Sequence, residues 1–371
     1  TGNGVGFGLS GFLFYAVPGG DAGFYLVLYA GFSYDPFYFH MFSLLLHIGC
    51  VCLVWKLISS LLRVHGGVSE KQILYVNFIT TLLFAVHPIN VEAVAWISAL
   101  KVLLYAFFYL LGLLCYLRYI RTSKIFYYVL TIGCFLCSFW GKEQAVTFPL
   151  ALLIVDWFTN RNMKNLEVWS EKMSFLIMAF FFGIITVLSQ GKGPYEMIFP
   201  LYQRLLFGCF ALVEYITKSL LPVNLNFFYP FPIVLGEEPP LHYYLYPVVL
   251  LFLMGWIIAY RNNRYLVFGV LLFLVNLLFS IHLFNMSRHA IVADRYMYLS
   301  YVGIAFLIAN GIWWLRKRLS YFKAALVFLF FYCFFLSVYT FHYTKKWENT
   351  TMVKKYTKEV LEKRLNGSNH L

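Results

Sequence analysis

Long apolar stretches separated by short polar or basic breaks dominate this sequence. Eleven of them lie between Phe39 and Phe341, at about 40–62, 73–86, 102–117, 125–140, 145–158, 173–190, 205–221, 245–260, 265–284, 298–315 and 322–342. A helix needs about 20 apolar residues to cross a hydrocarbon core of roughly 30 Å. Because the chain is 61% hydrophobic and only 12% charged, we expect an all-α, polytopic transmembrane helix bundle with about 11–12 membrane segments.

The pattern divides the chain into three parts. Residues 1–35 are predicted to be an interrupted apolar or interfacial segment, because Pro18, Gly19, Gly20 and Asp21 break the run. Residues 36–342 form the transmembrane domain. Residues 343–371 are polar and basic, and we interpret them as an external tail or as the stub of a missing domain.

The net charge of +13 comes mainly from loops and from the C-terminal segment. Such loops face the cytoplasm, which predicts a cytoplasmic position for the clusters at 63–71, 118–124, 161–172, 261–264 and 316–323. The segment 205–221 must then be re-entrant or interfacial, since a full crossing would put Arg261 and Arg264 outside. Membrane lipids, rather than nucleic acid, are the partners that this charge predicts.

Cysteines are predicted to serve packing rather than metal binding. All seven lie inside apolar runs, and Cys134 and Cys137 form a C-x-x-C with no second pair to complete a zinc site.

The break "LFAVHPINVEAVAWISALK" at 83–101 is predicted to face outward. Ionisable groups at membrane depth are costly and usually line a cavity. We therefore predict that His87, Glu92 and Lys101 border a cavity for an anionic ligand. In the alternative interpretation Glu92 caps a short helix after Pro88.

Two further outward breaks carry charge. "GKEQ" contains Lys142 and Glu143, of which one is expected to point inward because neighbouring helical residues point apart. "SRHAIVADRYMYLSYVG" contains Arg288, Asp294 and Arg295; an arginine matches phosphate oxygens, and Asp294 is expected to hold Arg295 in place.

Aromatic residues in the outward loops allow two interpretations. Tyr296, Tyr298 and Tyr301 are expected to form an interfacial belt rather than a sugar platform. Tyr229, in "NFFYPFP", suits a carbohydrate site or simple packing.

These motifs occur in an order that resembles a known family. "FHMFSLLLH", "LFAVHPINVEAVAWIS…K", "GKEQAVTFPLALLIVDW", "FFYPFP", "ADRYMYLSYVG" and Trp347-Glu348-Asn349 resemble the membrane portion of the tetratricopeptide-containing transmembrane O-mannosyltransferases and their bacterial relatives, of the GT-C glycosyltransferase superfamily. The resemblance covers about residues 36–350. It implies a GT-C-like fold, a polyprenyl-phosphate-linked sugar as donor, an extracytoplasmic active side and an external repeat domain after Trp347.

The chain also departs from that family. Relatives carry an acidic residue, taken as the catalytic base, in the first outer loop, whereas nothing before Asp21 is acidic here. Either that loop lies upstream of Thr1, or this protein has lost it. Ser98-Ala99-Leu100-Lys101-Val102 keeps only the serine and the lysine of the family's sequence, so that Leu100 stands where an arginine is usual. These departures concern activity more than fold.

We therefore predict a glycosyltransferase that moves a sugar from a polyprenyl-phosphate donor to an acceptor, expected to be a protein hydroxyl. The predicted membrane is the bacterial inner membrane with a periplasmic active side, or alternatively the endoplasmic reticulum membrane. A divalent metal is left open as a cofactor. The predicted roles are catalysis by Glu92 and Asp294; donor-phosphate binding by Lys101, Lys142, Arg288 and Arg295; and cavity lining by His87, Glu143 and Tyr229.

Two alternatives belong to other functional classes. A non-catalytic GT-C-like scaffold subunit of a larger complex is favoured by Leu100 and by the missing acidic loop. A transporter or flippase is disfavoured, because transporters place polar groups near the midplane, whereas the charges here cluster in the outward breaks.

Overall fold

The structure is a computed structural model that describes residues 35–189, 199–233, 235–282 and 290–368. Within these ranges the chain is a helix bundle whose one β-bridge pairs Tyr229 with Val292. The helices are α1 (Pro36–His65), α2 (Glu70–Val86), α3 (Val91–Ala95), α4 (Leu100–Thr122), α5 (Ile125–Gly141), α6 (Phe148–Phe158), α7 (Leu166–Ser189), α8 (Leu201–Leu220), α9 (Leu245–Ala259), α10 (Arg264–Leu277), α11 (Met297–Trp314), α12 (Leu319–Thr344) and α13 (Thr350–Ser368).

The predicted all-α fold is confirmed. Each of the eleven apolar runs corresponds to one helix, and local signals set the helix starts. Asp35 accepts a hydrogen bond from the Phe37 amide at the start of α1, and Ser69 accepts one from the Gln72 amide at the start of α2. The predicted interrupted segment 1–35 lies outside the described residues except for Asp35.

Length and composition single out the described helices that could cross a bilayer unaided. Six of the described helical segments are long and apolar enough to cross, and a bent pair, Glu70–Val86 with Pro88–Ala95, would make seven. The helices α5 and α10 are apolar but shorter. The helix α8 is not among these candidates, and the re-entrant or interfacial position expected for 205–221 stays a prediction.

Two ends of the bundle can be distinguished. At the end called here the Arg161 end, His65 Nδ1 lies 2.7 Å from the Phe158 carbonyl oxygen, so α1 and α6 finish together. At the opposite end, called the Glu92 end, Thr340 of α12 donates a hydrogen bond of 2.8 Å to the carbonyl of Val86.

The core contains aromatic residues that the sequence placed at the membrane interface. Tyr298 and Tyr301 are fully buried in α11, and the Tyr298 hydroxyl lies 2.7 Å from His47 Nδ1 of α1. The expectation of an aromatic belt is therefore wrong for these two residues. Their rings face neighbouring helices because α11 lies inside the bundle, with buried residues on every side of its first three turns.

The C-terminal segment forms a helix that contacts the Glu92 end. In α13 the Tyr356 hydroxyl donates to the Leu225 carbonyl at 3.0 Å, and Thr357 Oγ1 lies 3.3 Å from Asn226 Oδ1. Burial, followed by the charge of Tyr339, raises the pKa of Tyr356 to about 12, so its phenol remains a hydrogen-bond donor at neutral pH. This segment is thus more than a solvated tail.

Close contact between α10 and α11 depends on two glycines. A Cβ added to Gly303 would lie 2.5 Å from the Gly269 carbonyl oxygen and 2.7 Å from the Phe273 amide nitrogen. Both are backbone atoms that cannot move aside as a flexible side chain can. Small residues permit this approach of membrane helices, because packing rather than hydrophobicity drives their association in lipid.

We predict that Gly303→Ala separates α10 from α11 and lowers stability by about 1–3 kcal/mol, the usual cost of overpacking. Gly311→Ala is the matched control, since it lies in the same helix with nothing within 4 Å of the added Cβ. Thermal unfolding in detergent measures the difference. Equal melting temperatures for the two variants would contradict this account of the α10–α11 contact.

Candidate functional site at the Glu92 end

The site is built on the break that follows α2. Pro88 cannot continue the helix, and the axis turns by 51° between α2 and the segment Pro88–Ala95. Asn90 Nδ2 donates to the Phe84 carbonyl at 2.7 Å, which ties the turn back onto α2. The break thereby places α3 across the end of the bundle.

Glu92 on α3 forms a buried ion pair with Arg295. The Glu92 side chain is fully buried, and its Oε1 lies 2.5 Å from Arg295 Nη1. The Arg295 backbone amide donates to Oε2 at 2.7 Å. Both carboxylate oxygens are therefore engaged by a residue 203 positions away. This geometry makes Glu92 the partner that holds Arg295, a role that the sequence assigned to Asp294.

Asp294 belongs to a second buried group. Its carboxylate accepts hydrogen bonds of 3.1 and 3.0 Å from the Tyr229 hydroxyl. Lys218 Nζ lies 3.5 Å from Oδ1 and 3.4 Å from the centre of the Tyr229 ring. Burial, followed by the charge of Asp294, raises the pKa of Tyr229 well above its ordinary value, so the phenol stays protonated and donates.

Lys218 is a residue that the sequence reasoning missed. The sequence feature that could have revealed Lys218 was its position inside the apolar run 205–221, where an unpaired charge would be costly. The Lys218 side chain is only 5% exposed, so it pairs with Asp294 inside the protein.

Lys142 and Arg295 meet at one aromatic ring. The Tyr296 ring centre lies 4.4 Å from Lys142 Nζ and 5.1 Å from Arg295 Cζ. Lys142 is buried whereas Glu143 is partly exposed, so of this pair the lysine points inward. Lys101, at the start of α4, is partly buried near Gly141, whose added Cβ would lie 3.1 Å from the Lys101 carbonyl oxygen.

A first cavity, of about 760 Å³, lies between α1, the end of α2, α3 and the end of α12. Its wall is mostly apolar, with Leu44, Val94 and Phe341 among its residues. Polar groups line it too, namely His40, His47, His87, Asn90, Ser337, Thr340, Thr344, Lys345 and Glu348.

Asn90, one of the residues that line the first cavity, carries a buried amide oxygen. Since Asn90 Nδ2 donates to Phe84, the oxygen of the amide is the other atom, and Oδ1 is buried with no hydrogen-bond partner. A buried polar atom without a partner costs free energy.

A second cavity, of about 1080 Å³, adjoins the first and lies under α13. Aromatic side chains form one part of its wall and include Trp96, Phe227 and Phe228. The other part is polar and contains Ser98, Glu348, Asn349, Lys354, Thr357, Lys358 and Glu362. The two cavities share His40, Ala95, Trp347 and Glu348.

The predicted site residues divide into two groups. His87 lines the first cavity. Tyr229, expected to line a cavity, is instead buried at 2% exposure against Asp294. Neither cavity is lined by the other described members of the predicted set, which are Glu92, Lys101, Lys142, Glu143, Asp294 and Arg295. Arg288 lies outside the described residues.

The Arg161 end holds a second charge network, and the sequence analysis placed two of its members, Arg161 and Lys172, in one cytoplasmic loop. Fully buried Asp156 lies 2.5 Å from Lys172 Nζ and accepts from the Tyr116 hydroxyl at 2.8 Å. Arg161 donates to both oxygens of Glu171, at 2.6 and 3.0 Å. Two acids and two bases thereby neutralise one another. The feature of the sequence that could have revealed this network was Asp156, a carboxylate inside the apolar run 145–158.

A metal has no ready-made ligand cluster in the part of the chain that the structure describes, where no group of three or more His, Cys, Asp or Glu side chains could hold one. Positive charge is present at the two cavities as the lysine side chains Lys345, Lys354 and Lys358.

Comparison with known proteins bears on the resemblance drawn from the motifs. No family model matches the chain, and no solved structure matches it significantly. Human TMTC2, a protein O-mannosyl-transferase, is 33% identical over 141 residues, which are 36% of this chain and 16% of the human protein. Tmtc3 of Drosophila melanogaster, also so named, is 28% identical over 153 residues, or 36% of this chain and 16% of the fly protein.

Human TMTC4 is 31% identical over 130 residues, or 32% of this chain and 18% of that protein. The resemblance to the O-mannosyltransferase family is therefore confirmed over about a third of the chain. The matches span less than a fifth of these relatives' length. The relatives are animal proteins, so they give no support to the expected bacterial inner membrane.

We predict that Glu92→Ala lowers the free energy of unfolding by about 3–5 kcal/mol, because it leaves the Arg295 charge unpaired inside the protein. Glu70→Ala is the control, since Glu70 forms an exposed pair with Arg63, at 77% and 58% side-chain exposure, and such pairs contribute about 0–1 kcal/mol. Chemical denaturation in detergent measures both. A Glu92→Ala variant as stable as Glu70→Ala would show that the buried pair does not hold α3 in place.

Proposed function

We propose, on the premise that this chain shares sequence with the protein O-mannosyl-transferases over about a third of its length, that it is part of a membrane glycosyltransferase. The donor is a polyprenyl-phosphate-linked sugar, and the acceptor is a protein hydroxyl. The reaction takes place at the Glu92 end, which is the extracytoplasmic end. The membrane is that of the endoplasmic reticulum, in keeping with the animal relatives.

The observation that carries this proposal is the pair of adjoining cavities. A lipid-linked sugar needs an apolar groove that its tail can enter from the bilayer and a polar space where its sugar meets the acceptor. The first cavity is mostly apolar and is flanked by α1 and α12, whose Leu44 and Phe341 are exposed. The second combines aromatic and polar side chains, which suits a peptide segment.

Cations near the residues that line both cavities suit the leaving phosphate. Lys345 lines the first cavity, and Lys354 and Lys358 line the second. Positive charge aimed at an oxygen on which negative charge develops stabilises the transition state most strongly where water is scarce. These lysines replace Lys101, Lys142 and Arg295 as the proposed phosphate contacts, because the latter three do not line either cavity.

The extracytoplasmic assignment rests on charge. The Arg161 end contains the basic loops 63–71, 118–124 and 161–172, which favour the cytoplasm. The two cavities lie at the opposite end, beside Val86 and Thr344.

A non-catalytic scaffold is the second candidate. The observation that favours it is the engagement of both predicted catalytic carboxylates in buried interactions, Glu92 with Arg295 and Asp294 with Lys218 and Tyr229. Such pairs contribute structure without contacting a substrate. A direct assay of transfer separates the two candidates.

We expect the 371-residue chain, reconstituted in liposomes, to move labelled mannose from dolichyl phosphate mannose to a peptide rich in serine and threonine. Val94→Phe, which fills part of the first cavity, should raise the KM for the donor about tenfold, the equivalent of 1.4 kcal/mol of lost binding. Val129→Phe on α5 is the control, because Val129 is 60% exposed and lines neither cavity. A wild-type chain without transfer, although it is folded and binds the donor, would favour the scaffold.

A further inference from the structure

A third cavity, of about 380 Å³, lies at the Arg161 end, between the last turns of α1 and the first turns of α2. Its volume is at the lower end of those found for small-ligand sites. The residues that line it recur every three or four positions, so each helix turns one face to the cavity. They are Trp55, Ser59 and Arg63 of α1, and Glu70, Lys71, Ile73, Leu74 and Asn77 of α2.

The lining changes along the helix axes from a charged rim to a less polar interior. At the rim, Arg63 Nη2 lies 3.2 Å from Glu70 Oε2, and both side chains are exposed to solvent. Lys71, beside Glu70, is exposed as well. Asn77 lies two turns further along α2, about 10 Å deeper at a rise of 1.5 Å per residue. The cavity therefore extends from the surface toward the membrane interior.

Apolar side chains beside the same cavity face the bilayer. Trp55 is 38% exposed and Leu74 is 57% exposed. Trp55 lies on α1, which is long and apolar enough to cross a membrane, and Leu74 lies on the first half of the bent pair that could do so. Tryptophan favours the headgroup level of a bilayer. An acyl chain next to these two side chains would have its headgroup at the charged rim.

Asn77 gives the deeper part of the cavity a polar lining. The residue is only 2% exposed, and its Oδ1 has no hydrogen-bond partner among the described residues. Ser59, by contrast, donates to the Trp55 carbonyl of its own helix at 2.9 Å. A buried polar group that the protein leaves unpaired requires an explanation, and a bound molecule in the adjoining cavity supplies one.

The connection between α11 and α12 brings more positive charge to this end of α2. The ring centre of Tyr75 on α2 lies 5.6 Å from that of Trp313 on α11. The Arg316 guanidinium carbon lies 4.5 Å from the Trp313 ring centre. Lys317 and Arg318 follow in the same connection. Basic residues from two loops thus gather where α2 begins.

We propose that the third cavity binds an anionic phospholipid from the leaflet at the Arg161 end. The lipid phosphate lies at Arg63 and Lys71, and the acyl chains run along Trp55 and Leu74. Because Glu70 is paired with Arg63, Lys71 leaves the rim with a net positive charge. A headgroup of net negative charge is therefore favoured over a zwitterionic one.

The test measures how strongly lipids with brominated acyl chains quench the fluorescence of Trp55. The protein is reconstituted in phosphatidylcholine bilayers that contain a small fraction of either brominated phosphatidylserine or brominated phosphatidylcholine. Since the chain has nine tryptophans, the contribution of Trp55 is the difference between wild type and Trp55→Phe. We expect the phosphatidylserine to quench Trp55 at a lower mole fraction than the phosphatidylcholine does.

Two substitutions should weaken this preference. Lys71→Gln should lower the relative affinity for phosphatidylserine about fivefold, the equivalent of the roughly 1 kcal/mol that one lysine contributes at an anionic membrane surface. Asn77→Leu should lower it without a change of charge, because the deeper lining becomes apolar. The melting temperature of Asn77→Leu in pure phosphatidylcholine should not fall, since the substitution removes an unpaired buried amide.

Lys124→Gln is the matched control. Lys124 is an exposed lysine that precedes α5 at the same end of the bundle, and it does not line the third cavity. The variant loses the same charge as Lys71→Gln and should keep the preference for phosphatidylserine. Soluble glycerophosphoserine, which has the headgroup without acyl chains, should not displace the brominated lipid.

Three outcomes would overturn the inference. Equal quenching of Trp55 by the two brominated lipids would mean that the cavity selects no anionic lipid. Equal losses in Lys71→Gln and Lys124→Gln would show attraction by the surface charge as a whole. Displacement by glycerophosphoserine would identify a site for a soluble phosphate compound. Each result is independent of mannose transfer, so the proposed function is tested separately.

Discussion

The contact between Glu92 and Arg295 joins two breaks that are 203 residues apart and fixes the end of the bundle at which the cavities lie. In a membrane protein the cost of burying a charge is offset only by a partner with good geometry, because the surroundings offer no water to replace it. Here the carboxylate accepts from both the guanidinium and the backbone amide of Arg295. The turn before α11 is therefore held against α3, and α3 in turn forms part of the wall of the first cavity.

Charge is distributed by the same rule elsewhere in the described chain. Asp294 with Lys218 and Tyr229, and Asp156 with Lys172 and Tyr116, each combine an acid, a base and a phenol. These buried groups are matched internally and support the scaffold. The groups that line the cavities, such as Lys345 and Glu348, are exposed to the space in which a substrate would lie. The division separates charges that hold the helices together from charges that are available for chemistry, and the proposed transferase depends on the second kind.

Several features of the fold follow from the sequence with little ambiguity. The eleven apolar runs each became a helix, because a backbone in an apolar environment must satisfy its own hydrogen bonds. The break at Pro88 could be read from the proline itself. Lys142, rather than Glu143, points inward, as one of that pair was expected to do. Helices such as α6 and α10 are apolar because they pack inside the bundle, and apolar composition alone does not distinguish packing against protein from contact with lipid.

The sequence by itself determined an all-helical membrane chain, the places where its helices break, and the motifs it shares with the protein O-mannosyl-transferases. Only the tertiary structure decided which charges pair and which face a cavity. Glu92 and Asp294 looked like the acids most available for chemistry, yet both are buried in ion pairs, whereas Glu348, which follows the short turn Lys345–Trp347, lines both cavities. The physical reason is that pairing depends on distances between residues far apart in the chain. Helical periodicity and hydropathy describe only neighbours within a few turns.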